Sequence, residues 1–256
     1  MGVFEDTQLV MRGARERSAK TLLAFSGGKD SLVCLALCLR TFEETKPFFM
    51  YFIPGLTVVD EMIAKWEKIL GVKIDQVPHW KVSRKLKDYI YRVPPIKLME
   101  DGYIAVDPHA GDDIDAWSLD EIYSLQVDKT GIPIIVTGAK KSDSMWRRRQ
   151  MGTWGNQDRM IYPLRNWNKF DVLQFLKTNR LPLPESSGRN ANGIDLATPI
   201  VLWLYDQHRE DYNKIAEVFP LVEAVVWRRQ FHGIGAEHFD DTDEKERKRK
   251  RNAGLI

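Results

Sequence analysis

Apolar residues in this chain fall into short continuous runs separated by amphipathic stretches and turn residues, the pattern of strands buried on both faces between helices. Residues 21–25 form the first run and predict a buried strand, and residues 32–39, apolar on every side, predict a buried helix. Residues 48–53 predict a second strand, 58–70 have the period of a helix that ends at Gly71, and 72–77 predict a third strand. Ser118 or Asp120 would open a helix through Val127, and residues 131–138 restore the buried-strand pattern. Strands alternating with helices imply crossover connections. The expected class is α/β, an open, mostly parallel twisted sheet with helices on both faces.

Around this centre the pattern changes. Residues 1–20 are polar, with an amphipathic helix over 7–17 that is expected to cover a sheet edge. Residues 81–91 suit a helix, whereas Pro94-Pro95 and the stretch 102–111 read as surface loop. Asp112, Asp113 and Asp115 form a carboxylate cluster that reads as a solvated helix start, with cation binding as the weaker alternative. Asn168 is a good cap for a helix to Thr178, and Pro182 and Pro184 end that helix. Residues 185–193 form a polar, glycine-containing loop of the kind that closes over a site. Two helices follow, over 198–208 and 212–231, the second broken at Pro220, and residues 240–251 run from acidic to basic as a solvated or disordered tail.

Composition narrows the class without naming a partner. The 256 residues, 43% hydrophobic and 29% charged, suit one sizeable domain with a smaller appendage. A net charge of +2 is too near zero to identify a ligand, so any basic patch has to be argued locally. The two cysteines, Cys34 and Cys38, lie on one face of the buried helix, where a disulfide has poor geometry. They read as small apolar core residues in a reducing compartment. No stretch approaches a membrane span, and the expectation is a soluble, cytoplasmic protein with no membrane partner. The five histidines show no metal-ligand spacing.

The candidate chemistry begins at Ser26-Gly27-Gly28-Lys29-Asp30-Ser31, a turn between the first strand and the buried helix. Two glycines let the backbone turn tightly and approach a ligand, while the first free N–H groups of the helix and its positive dipole end point at whatever sits there. That makes an anion site, most simply for phosphate. Ser26 and Ser31 add hydroxyls and Lys29 adds a mobile charge, whereas Asp30 repels phosphate unless a divalent cation lies between them. The plainer alternative is a serine-capped helix after a glycine turn, which needs neither the second glycine nor the Lys-Asp pair. A second informative stretch follows the strand at 131–138, where Lys140, Lys141 and the arginines at 147–149 place five cations past its carboxyl end. It reads as a second wall of a phosphate crevice, or as a solvated basic face or nucleic-acid patch.

The S-G-G-x-D-S string resembles the loop of the PP-loop ATP pyrophosphatases, which holds the pyrophosphate part of ATP. With Gly138-Ala139-Lys140-Lys141-Ser142-Asp143-Ser144 and Tyr162-Pro163-Leu164-Arg165-Asn166-Trp167 before an Asp-Val helix, the chain resembles the phosphoadenosine phosphosulfate reductase branch of that superfamily over roughly residues 20–185. That branch shows G-x-R-x-x-[ED]-S and P-[IL]-x-x-W-x-x-x-D-V. Lys140 stands where it usually carries arginine, keeping the charge without the bidentate grip. Reductases of the branch attack with a cysteine near the carboxyl end, and no cysteine follows Cys38 here.

The resemblance therefore implies ATP with Mg2+ and no iron-sulfur cluster, in an enzyme that adenylates an acceptor and releases pyrophosphate. Ser26, Gly27, Gly28 and Ser31 would hold the β- and γ-phosphates, with Gly138 and Ser144 among the nucleotide contacts. Lys29 and Lys140, with Arg147 as the nearest of the three arginines in sequence, would offset charge on the leaving pyrophosphate. Asp30 and Asp143 would hold magnesium. The expected organisation is a leading helix at 1–20, a PP-loop nucleotide-binding domain at 21–185, a helical extension at 186–239 and the tail at 240–256. The acceptor stays open, as do a sulfur carrier, a nucleic acid or a second copy of the chain as partner. A sulfonucleotide enzyme that borrows a partner's thiol and a non-catalytic nucleotide- or nucleic-acid-binding module are the rival expectations.

Overall fold

The structure is a computed structural model that describes residues 2–99, 104–107, 109–153, 159–184 and 195–233. In chain order its elements are α1 (Val3–Arg17), β1 (Lys20–Phe25), α2 (Lys29–Thr41), β2 (Glu44–Tyr51), α3 (Thr57–Leu70), β3 (Asp75–Pro78), α4 (Trp80–Lys87), β4 (Ile96–Leu98) and β5 (Ile104–Val106). There follow α5 (Leu119–Thr130), β6 (Ile135–Thr137), α6 (Met145–Thr153), β7 (Met160–Ile161), α7 (Lys169–Thr178), α8 (Thr198–Gln207), α9 (Arg209–Val218) and, after a 3-10 turn at Pro220–Val222, α10 (Glu223–His232). The chain divides into two compact units, one of residues 1–84 and 115–194, the other of 85–114 and 195–256.

The first unit holds a five-stranded, wholly parallel sheet in the order β3-β2-β1-β6-β7, as the α/β expectation requires. Strand parity sorts its core. Leu22, Phe48, Val77 and Ile135 share one face with Ile122 of α5, while Leu23, Phe25, Phe49 and Val136 are buried on the opposite face, and α2 packs on β1, β2 and β6. The chain winds outward from β1 through β2 to β3 and then returns to the other side of β1 with β6 and β7. The order therefore reverses between β1 and β6, where open α/β sheets leave a crevice at the carboxyl ends of the strands.

Local signals end the helices, Gly71 where expected, whereas α5 runs past the expected Val127 to Thr130 and takes Gly131, expected to start a strand, as its end. Gly71 (φ +65°) and Gly131 (φ +69°) take the left-handed conformation that closes α3 and α5. Ser118 caps α5 in a reciprocal pair with Glu121, and Asn168 caps α7 by accepting from the N–H groups of Phe170 and Asp171.

Leading helix α1 packs on β7 and α2, and it is anchored by polar side chains. Arg165 donates to both oxygens of the buried Asp6, at 2.6 and 3.1 Å, and Asn166 adds a 2.8 Å bond. Thr7 accepts from the Trp167 indole at 2.7 Å and donates to the Pro163 carbonyl at 2.8 Å, while Phe4 meets the Trp167 ring edge-on at 4.8 Å.

Several strand boundaries differ from expectation. β2 begins at Glu44 because its polar start pairs with β1, Lys20 opposite Glu44, through backbone bonds that hydrophobicity does not report. β3 and β6 are shorter than the runs that suggested them. Part of the stretch expected to be loop forms the antiparallel ribbon β4-β5, whose Ile96, Leu98, Ile104 and Val106 are exposed. Strands of three residues with no buried face leave too little periodicity to read. Asp112, Asp113 and Asp115 do not open a helix: they lie before α5, and Asp112 meets His109 at 3.0 Å. Among the described residues, no cluster of three or more His, Cys, Asp or Glu side chains could hold a metal ion. The loop at 185–193 and the tail at 240–251 lie outside the described residues. In the second unit α8 packs on both α9 and α10, and the break at Pro220 is present. No described helix is long and apolar enough to cross a membrane.

Candidate nucleotide site

The turn after β1 occupies the reversal point of the sheet. Gly27 has φ +74°, a conformation that disfavours any side chain, and a Cβ there would meet the Met62 sulfur at 2.2 Å. Gly28 is the N-cap of α2 in extended conformation, so the N–H groups of the first turn lack intrahelical acceptors. The Ser31 hydroxyl, buried, donates to the Gly28 carbonyl at 2.9 Å and accepts from the Ser26 N–H and hydroxyl at 3.2 and 3.1 Å. Ser31 therefore holds the shape of the turn, and the backbone N–H groups are left to meet a ligand.

The second wall comes from the loop after β6. Gly138 lies so close to α2 that a Cβ would stand 2.9 Å from both the Asp30 carbonyl carbon and the Ser31 nitrogen. Those are backbone atoms that cannot swing aside, so this glycine brings the two loops together. Two residues on, Lys140 is only 4% exposed, with Nζ 2.6 Å from Asp30 Oδ1 and 3.2 Å from Asp143 Oδ1. A buried ammonium is retained only when paired, and here two carboxylates pair it. Lys29 Nζ takes the other Asp30 oxygen at 3.1 Å.

Asp143 also accepts the Lys140 N–H at 3.0 Å and lies 3.8 Å from Arg147, so it ties this loop to α6. Ser144 accepts the Arg147 N–H at 3.1 Å and caps α6. Arg147 is exposed, and its charge partly offsets the upward push that burial gives the Tyr162 hydroxyl.

All the site residues read from the sequence thus fall on two adjoining loops and the first turns of α2 and α6. The third motif joins them from below. Lys141 N–H donates to the Arg165 carbonyl at 3.0 Å, Lys141 Nζ reaches Asn166 at 3.1 Å, and Ser142 donates to the Trp167 carbonyl at 3.0 Å. Met62, Asp6, Thr7 and Arg165 were not legible as supports, since each acts through a contact far away in sequence. For Arg165 the only signal was its place in the third motif.

Asp30 Oδ1 is buried and has no aligned hydrogen bond, its near neighbour being the Lys140 ammonium. Magnesium takes one or two carboxylates together with water and phosphate oxygens, so Asp30 with Asp143 fits only as half of a set that a bound phosphate completes. The cysteines stand apart: both are fully buried in α2, and burial raises both thiols well above their ordinary range.

Fold and site together define a doubly wound α/β protein with a glycine turn at the reversal of its strand order. The family model of the phosphoadenosine phosphosulfate reductase domain matches residues 20–185, and the chain belongs to that family. Comparison with curated proteins gives no match. Among solved structures the chain is similar to an NH3-dependent NAD synthetase from Campylobacter jejuni (TM-score 0.44, 13% identity, 91% of this chain and 97% of that one). It is also similar to the FMN adenylyltransferase of Candida glabrata (0.47, 14%, 73% and 60%) and to the phosphoadenylyl-sulfate reductase of Candida auris (0.45, 16%, 70% and 82%).

Proposed function

We propose that this chain is an ATP pyrophosphatase-type enzyme: it binds ATP with magnesium between the two loops and transfers the adenylyl group to an acceptor oxygen. The acceptor oxygen forms a bond to the α-phosphorus, the bond from that phosphorus to the oxygen bridging to the β-phosphate breaks, and pyrophosphate leaves. The observation that carries this reading is the buried Lys140–Asp30 pair beside the free end of α2. It sets a fixed cation and a carboxylate against the place where backbone N–H groups gather.

In this arrangement the N–H groups of Gly27 and Gly28, with Ser26, hold the terminal phosphates. Lys29, partly exposed and paired with Asp30, is placed to swing onto them. Lys140 and Arg147 offset the charge that grows on pyrophosphate as it departs. Magnesium, when held by Asp30 with Asp143, supplies further neutralisation of the phosphates. Pyrophosphate then needs no strong general acid. Pyrophosphate release from ATP with magnesium, compared between wild type and Asp30→Ala, tests the proposal. Phosphate release, or ATP binding undiminished in the variant, would count against it.

A second reading, a sulfonucleotide enzyme supplied with a partner's thiol, is favoured by the family match. It needs an external thiol because Cys34 and Cys38 are buried and held protonated. Preference for phosphoadenosine phosphosulfate over ATP in direct binding would favour it.

A further inference from the structure

Helix α1 is tied to the sheet by more polar bonds than covering a sheet edge requires. Asp6 and Thr7 are buried at 7% and 2% exposure, and Trp167, which Thr7 meets, at 1%. Burying a carboxylate and a hydroxyl costs free energy that apolar side chains of similar volume would avoid. A fully bonded polar network adds something an apolar contact lacks: it holds the segments it joins in one register.

Each residue that α1 holds in this way also holds the loop after β6. Asn166 donates from Nδ2 to Asp6 Oδ2 at 2.8 Å and accepts at Oδ1 from Lys141 Nζ at 3.1 Å. An ionised carboxylate only accepts, so Asp6 draws the amide nitrogen to itself and turns the amide oxygen toward Lys141. Arg165, bound to both oxygens of Asp6, presents its carbonyl to the Lys141 N–H at 3.0 Å. Trp167, whose indole donates to Thr7 at 2.7 Å, presents its carbonyl to the Ser142 hydroxyl at 3.0 Å. Lys141 and Ser142 directly follow Lys140, whose ammonium lies 2.6 Å from Asp30. Gly138 sets one side of Lys140 against α2, and these three bonds set the other.

We propose that α1 is a working part of the candidate site: Asp6 and Thr7 are positioning residues that, through Arg165, Asn166 and Trp167, set where the Lys140 ammonium stands. The helix lies outside residues 20–185, so the family match does not account for it. The placement of Lys140 holds whatever the reaction, whereas its consequence for turnover rests on the adenylation reading. Amide hydrogen exchange at Lys141, read on protein without nucleotide, tests the placement. The variants are Thr7→Val, Thr7→Ser, Asp6→Asn and Asn166→Ala, with Val77→Ala, in the edge strand opposite β7, as the control for stability lost elsewhere.

Thr7→Val and Asp6→Asn are expected to speed Lys141 exchange on the order of 10-fold beyond what their stability in urea accounts for. Thr7→Ser keeps the hydroxyl and should exchange as wild type does, and Val77→Ala should speed exchange only as far as its lost stability does. Asn166 is exposed, so Asn166→Ala, expected to act as Asp6→Asn does, decides the matter if the buried substitutions prevent folding. Lys141 exchange that follows global stability alone in these variants, or that Thr7→Ser fails to restore, would overturn the placement. In a wild type that releases pyrophosphate, Asp6→Asn should lower kcat about 10-fold with the KM for ATP little changed, because Lys140 acts on charge that grows as pyrophosphate leaves. A raised KM at unchanged kcat would overturn the role given to α1 in turnover. A wild type that shows the exchange pattern and releases no pyrophosphate supports the placement and counts against the adenylation reading alone.

Discussion

Lys140 Nζ lies 2.6 Å from Asp30 Oδ1, joining the loop after β6 to the first turn of α2 across the point where the strand order reverses. The ammonium is buried, so the pair supports the fold, and in the proposed reaction it also serves the chemistry. Lys140→Ala is predicted to lose roughly 2–3 kcal/mol of stability, somewhat less than for a fully enclosed pair because Asp30 retains some solvent contact. Urea denaturation measures this. The double variant Asp30→Asn, Lys140→Met should recover most of that stability and none of the pyrophosphate release, which separates the two roles.

Gly138→Ala should distort the site without touching a charge. Its Cβ would press on the backbone of Asp30 and Ser31 at 2.9 Å, and such overpacking costs about 1–3 kcal/mol. Calorimetric titration with ATP and magnesium should show weakened binding. Gly27→Ala should be eased by Met62→Ala only in part, since removal of the sulfur clears the clash but leaves the left-handed backbone.

Asp6 gives the pH dependence. The hydrogen bonds from Arg165, together with its charge, hold the Asp6 carboxyl below its ordinary range despite burial. A depressed folded-state value means that the stabilisation is present at neutral pH and above the ordinary carboxylate range. It is lost as pH falls through the lowered value. Asp6→Asn should therefore be less stable than wild type by about 1–3 kcal/mol at neutral pH. The two proteins should approach each other in denaturation curves as pH falls from the ordinary carboxylate range, and converge only below the lowered folded-state value.

The buried thiols predict inertness. Native protein should resist a thiol-reactive dye at mildly alkaline pH and react once unfolded, because burial raises both Cys34 and Cys38. A Cys34→Ala, Cys38→Ala protein that folds should keep its pyrophosphate release. Its loss under those conditions would argue for chemistry at a cysteine.

How much of this was legible in the sequence depends on the range of the contacts. The glycine turn, the apolar run 32–39 of α2, the Ser118 and Asn168 caps and the Gly71 ending are local, and each is readable from neighbouring residues. Asp6 lies in a polar leading stretch and Thr7 at the start of an amphipathic pattern, yet both are buried against a segment about 160 positions away. Polar side chains buried by a distant partner carry no hydrophobic signal. The sequence places Lys140 among the cations of a phosphate crevice, while the pairing of its ammonium with Asp30 and Asp143 is set by sheet topology. The ribbon β4-β5 was missed because its strands are short and its apolar side chains stay exposed.

The most direct test of the account identifies which bond of ATP breaks. Wild type and Asp30→Ala would be given ATP with magnesium, and products would be separated as AMP or adenylated acceptor with pyrophosphate, against ADP with phosphate. The account predicts pyrophosphate in step with the adenylyl product, dependent on magnesium and absent from Asp30→Ala. ADP with phosphate, or a protein that ignores ATP while binding phosphoadenosine phosphosulfate, would contradict it.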